Sequence, residues 1–270
     1  MTTPAWLTVR PANTPLILAM PHGGSWVPDH LLSRFASPWV ATRDADWHIA
    51  ELYDGLAEAT IVATDVSRSV IDLNRDPSGA SLYPGQATTG LCPTTDFDGA
   101  PLYQPGQEPD DAEIAMRRET YFAPYHDALT AEIVRLRAHH DRVVVYDCHS
   151  IRSRIPRLFD GLLPEFNLGT NGGATCDPAL TDAVMAVLNA SGRSHVCDGR
   201  FRGGWTTRHY GQPLSGVHAI QMETAMRAYL VEPDGAVDVG TWPPAWDAEH
   251  AADARATLSR VLVAALAFTN

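Results

Sequence analysis

The stretch "RVVVYDCHSI", residues 142–151, decides the fold. Three valines and a tyrosine run together without polar alternation, the pattern of a strand covered on both faces, as in a parallel sheet. The run then ends in Asp147, Cys148, His149 and Ser150, groups that ligate or titrate. In open α/β sheets, ligands bind outside the carboxyl ends of the strands, so a strand of this kind predicts a site at one rim.

Working outward, five further apolar runs read as strands: "PLILAM" (15–20), "TIVATDV" (60–66), "SVIDL" (69–73), "SHVCD" (194–198) and "VHAIQME" (217–223). Helical periodicity separates them. "DADWHIAELYDGLAEA" (44–59) opens on a capping-competent aspartate, and residues 110–140 form a long helical stretch with Pro124 as a candidate kink. "DPALTDAVMAVLNAS" (177–191) has Asp-Pro in the cap and first-turn places, and an amphipathic helix over about 246–268 closes the chain. Residues 74–109 are rich in Gly, Pro, Ser and Thr without a period, the mark of a functional or mobile loop. With no internal repeat or linker, residues 1–270 are expected to form a single α/β/α sandwich around a mixed, largely parallel sheet.

Composition narrows the function. The formal charge of −12 disfavours nucleic acid and anionic membrane as partners, which such a surface repels. All 20 basic residues are arginine, so Schiff-base, Ser-Lys and P-loop lysine chemistry are excluded. Cys92, Cys148, Cys176 and Cys197 lack paired spacing and suggest neither a disulfide framework nor a structural zinc site. The opening "MTTPAWLTVRPANTP" has no basic segment followed by an apolar one, and no run approaches the roughly 20 residues that span a bilayer. A cytoplasmic protein is expected. The oligomeric state is not legible.

Four runs end in polar groups: His22 after "LILAM", Asn74 and Arg75 after "SVIDL", His149 after "RVVVYD", and Glu223 after "VHAIQM". If these strands lie side by side in one direction, their tips converge. Two histidines and one carboxylate make a hydrolytic metal set, with Asp44 and Asp46 as carboxylate candidates and His48 as an alternative ligand. Glu223 suits general-base work, or equally a helix N-terminus. Arg68, Arg75, Arg202 and Arg208 lie near the same loops, and arginine forks match carboxylates, so a small anionic substrate is expected. Cys148 beside His149 is a poor nucleophile–base pair, because neighbours on a strand point to opposite faces. No GxSxG elbow occurs.

The blocks "MPHGGSWVP", "DADWHIAELYD", "SVIDLNRDPSG", "LYPGQATTGLCPTTDFDG", "YDCHSIRSRIPRLFDG", "LPEFNLGTNGGATC", "GGWTTRHYGQP" and "IQMETAMRAYL" follow one another over about residues 14–232. In this the chain resembles the N-formylglutamate amidohydrolase family and, more distantly, is similar to zinc carboxypeptidases and aspartoacylase. The resemblance implies one divalent metal ion, zinc first among the candidates, on His22, His149 and Asp46. The chain departs from the carboxypeptidase HxxE spacing, with Ser25 in the glutamate's place. It further implies Glu223 as general base, Arg68 as the group polarising the scissile carbonyl, Asn74 and Arg75 as a carboxylate clamp, and Arg208 with Thr207 on a second carboxylate. The spacing of Arg68 to "NR" is one residue short of the aspartoacylase pattern. The implied reaction splits N-formyl-L-glutamate, a dianion, into formate and L-glutamate, as in histidine breakdown. Competing readings are an amidohydrolase for another N-acyl amino acid or a cell-wall amide, and a non-catalytic module binding an acidic metabolite.

Overall fold

In the computed structural model, which describes residues 3–269, the stretch that opened the sequence reading is the middle of a seven-stranded mixed sheet. The strands are β1 (Leu7–Arg10), β2 (Leu16–Met20), β3 (Thr60–Thr64), β4 (Val143–Ile151), β5 (Phe166–Gly169), β6 (His195–Cys197) and β7 (Val217–Ala225). Their spatial order is β1-β3-β2-β4-β7-β5-β6. The central four, β3, β2, β4 and β7, run parallel. β1 is antiparallel to β3 at one edge, and β5 is antiparallel to β7 and carries β6 at the other. The family of folds is therefore α/β, with helices on both faces.

Side-chain alternation explains why the central runs are apolar throughout. On one face Leu16, Leu18, Val144, Tyr146, Cys148, Ile220 and Met222 pack in a single cluster. Against them lie helices α2 (Ile49–Tyr53), α5 (Pro178–Ala190) and α7 (Ala248–Phe268). On the other face Ile17, Ala19, Val143, Val145 and Ala219 pack against α4 (Ala123–Arg137) through Tyr125, Leu129 and Ile133. Each fully buried aliphatic side chain here contributes roughly 1.5–3 kcal/mol of transfer free energy. Two covered faces require both parities of the strand to be hydrophobic.

The remaining helices are short. α1 (Asp29–Leu32) follows the first loop, and α3 (Asp111–Arg117) joins α4 through a π-helical turn at Arg118–Phe122. α6 is Trp205–Tyr210. The kink expected at Pro124 takes this form: the wide turn ends just before Pro124, whose ring and missing N–H disturb the preceding turn. α5 starts as read, with Asp177 accepting from Ala179 N. α7 is capped by Asp247, which accepts from Glu249 N and His250 N.

Three expectations need correction. "SVIDL" (69–73) is not a strand but a buried loop. Its carbonyls are met by side chains instead of a ladder: Arg117 donates to Val70 O at 2.8 Å and His126 to Leu73 O at 2.8 Å. The helix expected over 44–59 is formed only at Ile49–Tyr53. His48, in the left-handed region at φ 59°, starts it, while Asp44 and Asp46 spend their carboxylates on the main-chain N–H groups of Phe97 and Ser150. β4 does not stop at Asp147 but runs on through His149 to Ile151, so its polar residues are laddered strand positions.

Candidate active site

Extension of β4 past its apolar part places the site. The register sets His149 directly beside Glu223 of β7, and Asp147 beside Gln221. These four continue the parity of Val143, Val145 and Ala219, so they share one face of the sheet beyond the end of its apolar packing. Cys148, on the other parity, is sealed in the opposite core, where burial pushes its thiol far above its ordinary range. A cysteine–histidine pair is thereby excluded at this position.

His22 follows β2 by two residues, and its carbonyl accepts from Asp46 N at 3.0 Å. Gly24 is obligatory for this turn: a Cβ there would lie 2.2 Å from the carbonyl carbon of Asp65. The result is a compact, buried group. His22, Asp46 and His149 each offer a ligand atom, and these atoms lie within 4.8 Å of one another. His22 Nδ1 and His149 Nδ1 are 3.1 Å apart, and Asp46 Oδ2 is 3.2 Å from His149 Nδ1 and 3.9 Å from His22 Nδ1.

The outward nitrogens of both rings are held by carboxylates. His22 Nε2 lies 2.6 Å from Asp72 Oδ1, and His149 Nε2 lies 3.0 Å from Asp147 Oδ2. Carboxylates behind imidazoles fix ring orientation and turn the other nitrogen inward, the usual support of a histidine metal ligand. Asn74 adds to it: Nδ2 contacts Asp147 Oδ2 at 3.0 Å and His149 Nε2 at 2.8 Å, while Oδ1 accepts from Thr206 N at 2.7 Å. Two nitrogens and one oxygen, buried and facing inward, form a donor set that suits zinc or a similar divalent ion.

Charge in the site is heavily coupled. Burial lowers the His22 pKa to about 4, aided by the Arg68 guanidinium. Burial also opposes charge on His149, but Asp147 and Asp46 outweigh it and raise His149 well above its ordinary range. For Glu223, burial dominates and raises the carboxyl to about 7, against the pull of His149. Asp72 is held well below the usual carboxylate range by Arg75, His22 and Arg68, which overcome its burial.

Arg68 joins the two aspartates, donating from Nη1 to Asp46 Oδ1 at 3.2 Å and from Nη2 to Asp72 Oδ2 at 2.8 Å. Glu223 Oε2 accepts from Gln221 Nε2 at 2.9 Å, and Gln221 Oε1 accepts from Gly204 N at 2.8 Å. A cavity opens over these groups, lined also by Arg75, Tyr83, Thr89, Phe97, Arg200 and Phe201.

A family model for N-formylglutamate amidohydrolase matches residues 14–230 of the chain. The chain belongs to the N-formylglutamate amidohydrolase family. It is 43% identical over 265 residues to an N-formylglutamate deformylase of Pseudomonas aeruginosa, covering 97% of this chain and 96% of that protein. It is 44% identical over 229 residues to an N-formylglutamate deformylase of Pseudomonas putida, covering 84% and 85%. The solved N-formylglutamate amidohydrolase of Ralstonia eutropha JMP134 shares the fold, with a TM-score of 0.75 at 24% identity over 98% of both chains.

Not every residue expected at this family's site faces the cavity. Asp44 accepts from Phe97 N, and His48 contacts Pro244 O, so both point elsewhere than the His22–His149 group. Arg208 donates to the carbonyls of Gly203 and Leu82, and neither it nor buried Thr207 lines the cavity. Asp72 and Gln221 are absent from the expected site, and Asp147 was singled out only as a polar strand end, without a role. The signal was present for two of them, since Asp147 and Gln221 sit two positions before His149 and Glu223 and so on the same strand face. Among the described residues, no helix is long and apolar enough to cross a membrane.

Proposed function

We propose that this chain hydrolyses N-formyl-L-glutamate to formate and L-glutamate, with one divalent metal ion, zinc first, held by His22, Asp46 and His149. The supporting observation is the convergence of those three ligand atoms beside Glu223 at the floor of an arginine-lined cavity. The names of the curated relatives supply the substrate. When bound, the ion supplies Lewis acidity that polarises the formyl carbonyl and makes water a better nucleophile.

The chain's own groups do the rest. Glu223, with its pKa raised by burial to about 7, takes a proton from the attacking water and returns it to the departing nitrogen. Water adds to the formyl carbon, the C–N bond breaks, the electron pair goes to nitrogen, and formate leaves. Gln221 fixes the Glu223 carboxyl, so one oxygen stays aimed into the cavity. Arg68, anchored by Asp46 and Asp72, offers positive charge where the carbonyl oxygen becomes an oxyanion. Arg75, beside Asn74 on the cavity wall, suits the substrate carboxylate nearest the amide. Membership in a hydrolytic family and a set general base favour an enzyme over a silent binding module.

Hydrolysis of a panel of N-formyl-L-glutamate, N-acetyl-L-aspartate and a muropeptide, followed through formate, acetate and released amine respectively, tests this. Turnover of the formyl compound should dominate. Faster hydrolysis of either competitor, measured by its own product, would replace the substrate assignment.

A further inference from the structure

The cavity wall carries an arginine that the sequence reading passed over. Arg200 lines the cavity with Arg68, Arg75 and Glu223. Its partners are neutral: Nε donates to Leu158 O at 2.7 Å and Nη2 to Ala87 O at 2.8 Å. Its guanidinium lies 5.5 Å from the Tyr83 ring centroid and 5.3 Å from that of Phe201. The fork is therefore positioned by two carbonyls and two rings, yet among the described residues no carboxylate pairs with it. Among the described residues its Nη1 has no hydrogen-bond partner. Arg75, by contrast, already sits 3.6 Å from Asp72 Oδ2. Burial first, with the neighbouring Arg75 charge, depresses Arg200 below its ordinary range against the opposing influence of Tyr83 and Glu223, so the site does not fully neutralise it.

Position orders the two. Arg75 adjoins Asn74, which touches His149, so it is close to the reacting centre. Arg200 shares no hydrogen bond with the His22–Asp46–His149 group and is anchored on the loop side of the cavity. Arg208 also lies against Tyr83, 4.9 Å from its ring centroid, but donates to Leu82 O and Gly203 O, which ties it to the loop.

We propose that Arg200 reads the distal carboxylate of the substrate, while Arg75 holds the one next to the scissile amide. The inference rests on reading the site as one for an N-acylated acidic amino acid. A carboxylate entering between them would meet a preset, under-neutralised fork, whereas a neutral amide in its place would leave that fork without its anion.

Calorimetric titration of the metal-loaded protein with L-glutamate and with L-glutamine tests it. The wild type should prefer glutamate. Arg200→Met should weaken glutamate roughly 10- to 100-fold while changing glutamine less than about 3-fold. Arg200→Lys, which keeps the charge and loses the fork, should recover part of the loss. An equal loss for both ligands, no glutamate preference in the wild type, or the charge-selective loss arising from Arg208→Met instead would overturn the assignment. Selective glutamate binding without formate release from N-formyl-L-glutamate would leave Arg200 in its role and remove the deformylase reading.

Discussion

At the scale of single residues, the site separates groups by what surrounds them. Glu223 is raised to about 7 by burial, so it is protonated on the acid side and cannot accept a proton there. kcat/KM should therefore climb about tenfold per pH unit on the acid limb and level off at or below about pH 7, since a bound dication draws the carboxyl lower. Glu223→Gln should lose about 10²- to 10⁴-fold in kcat with metal content unchanged. Retained turnover, read by formate release, would remove Glu223 from its role. Histidine ligates through an unprotonated nitrogen, and the surroundings of His149 favour its protonated form, so protons compete with an ion at this site. Metal affinity should thus weaken as pH falls, a trend that chelator competition between pH 6 and 8 would measure. Asp72 orients His22 from behind, and Asp72→Asn should weaken the metal about 10- to 100-fold. Unaltered affinity in that variant would show that His22 needs no such support.

At the scale of elements, the two-faced apolar runs were legible because burial on both sides leaves a strand no polar alternation, as in Leu16–Met20 and Val143–Tyr146. β1 and β5 were not. "LTVR" is a half-exposed edge, and "FNLG" is short and carries Asn167 and Gly169, poor strand formers that are held by pairing with β7. "SVIDL" misled because an apolar run signals burial, whereas its carbonyls are met by Arg117 and His126 from distant helices. The convergence of side chains was legible near the carboxyl ends of the central strands, as for His22 and Glu223. It was not where a main-chain contact from elsewhere decides direction, as for Asp44 and Arg208. The His22–Trp26 turn is a further element-scale test. Gly24→Ala sets a methyl against the Asp65 backbone and should cost roughly 1–3 kcal/mol, visible as a lower Tm.

At the scale of the whole molecule, four parallel strands and the loops between them bring His22, Asp46 and His149 together at one rim of the sheet. An ion held there, as proposed, would tie β2, β4 and the turn before α2 together and would favour the folded chain, since the three side chains converge only in the fold. Adding zinc to chelated protein should accordingly raise Tm, with the gain absent in His149→Ala. The most direct measurement is diffraction from crystals of active protein, recorded on both sides of the zinc absorption edge. An anomalous peak about 2.0–2.2 Å from a ring nitrogen of His22, a ring nitrogen of His149 and a carboxylate oxygen of Asp46 is the expected result. Crystals that release formate from N-formyl-L-glutamate yet show no metal among those three side chains would contradict it.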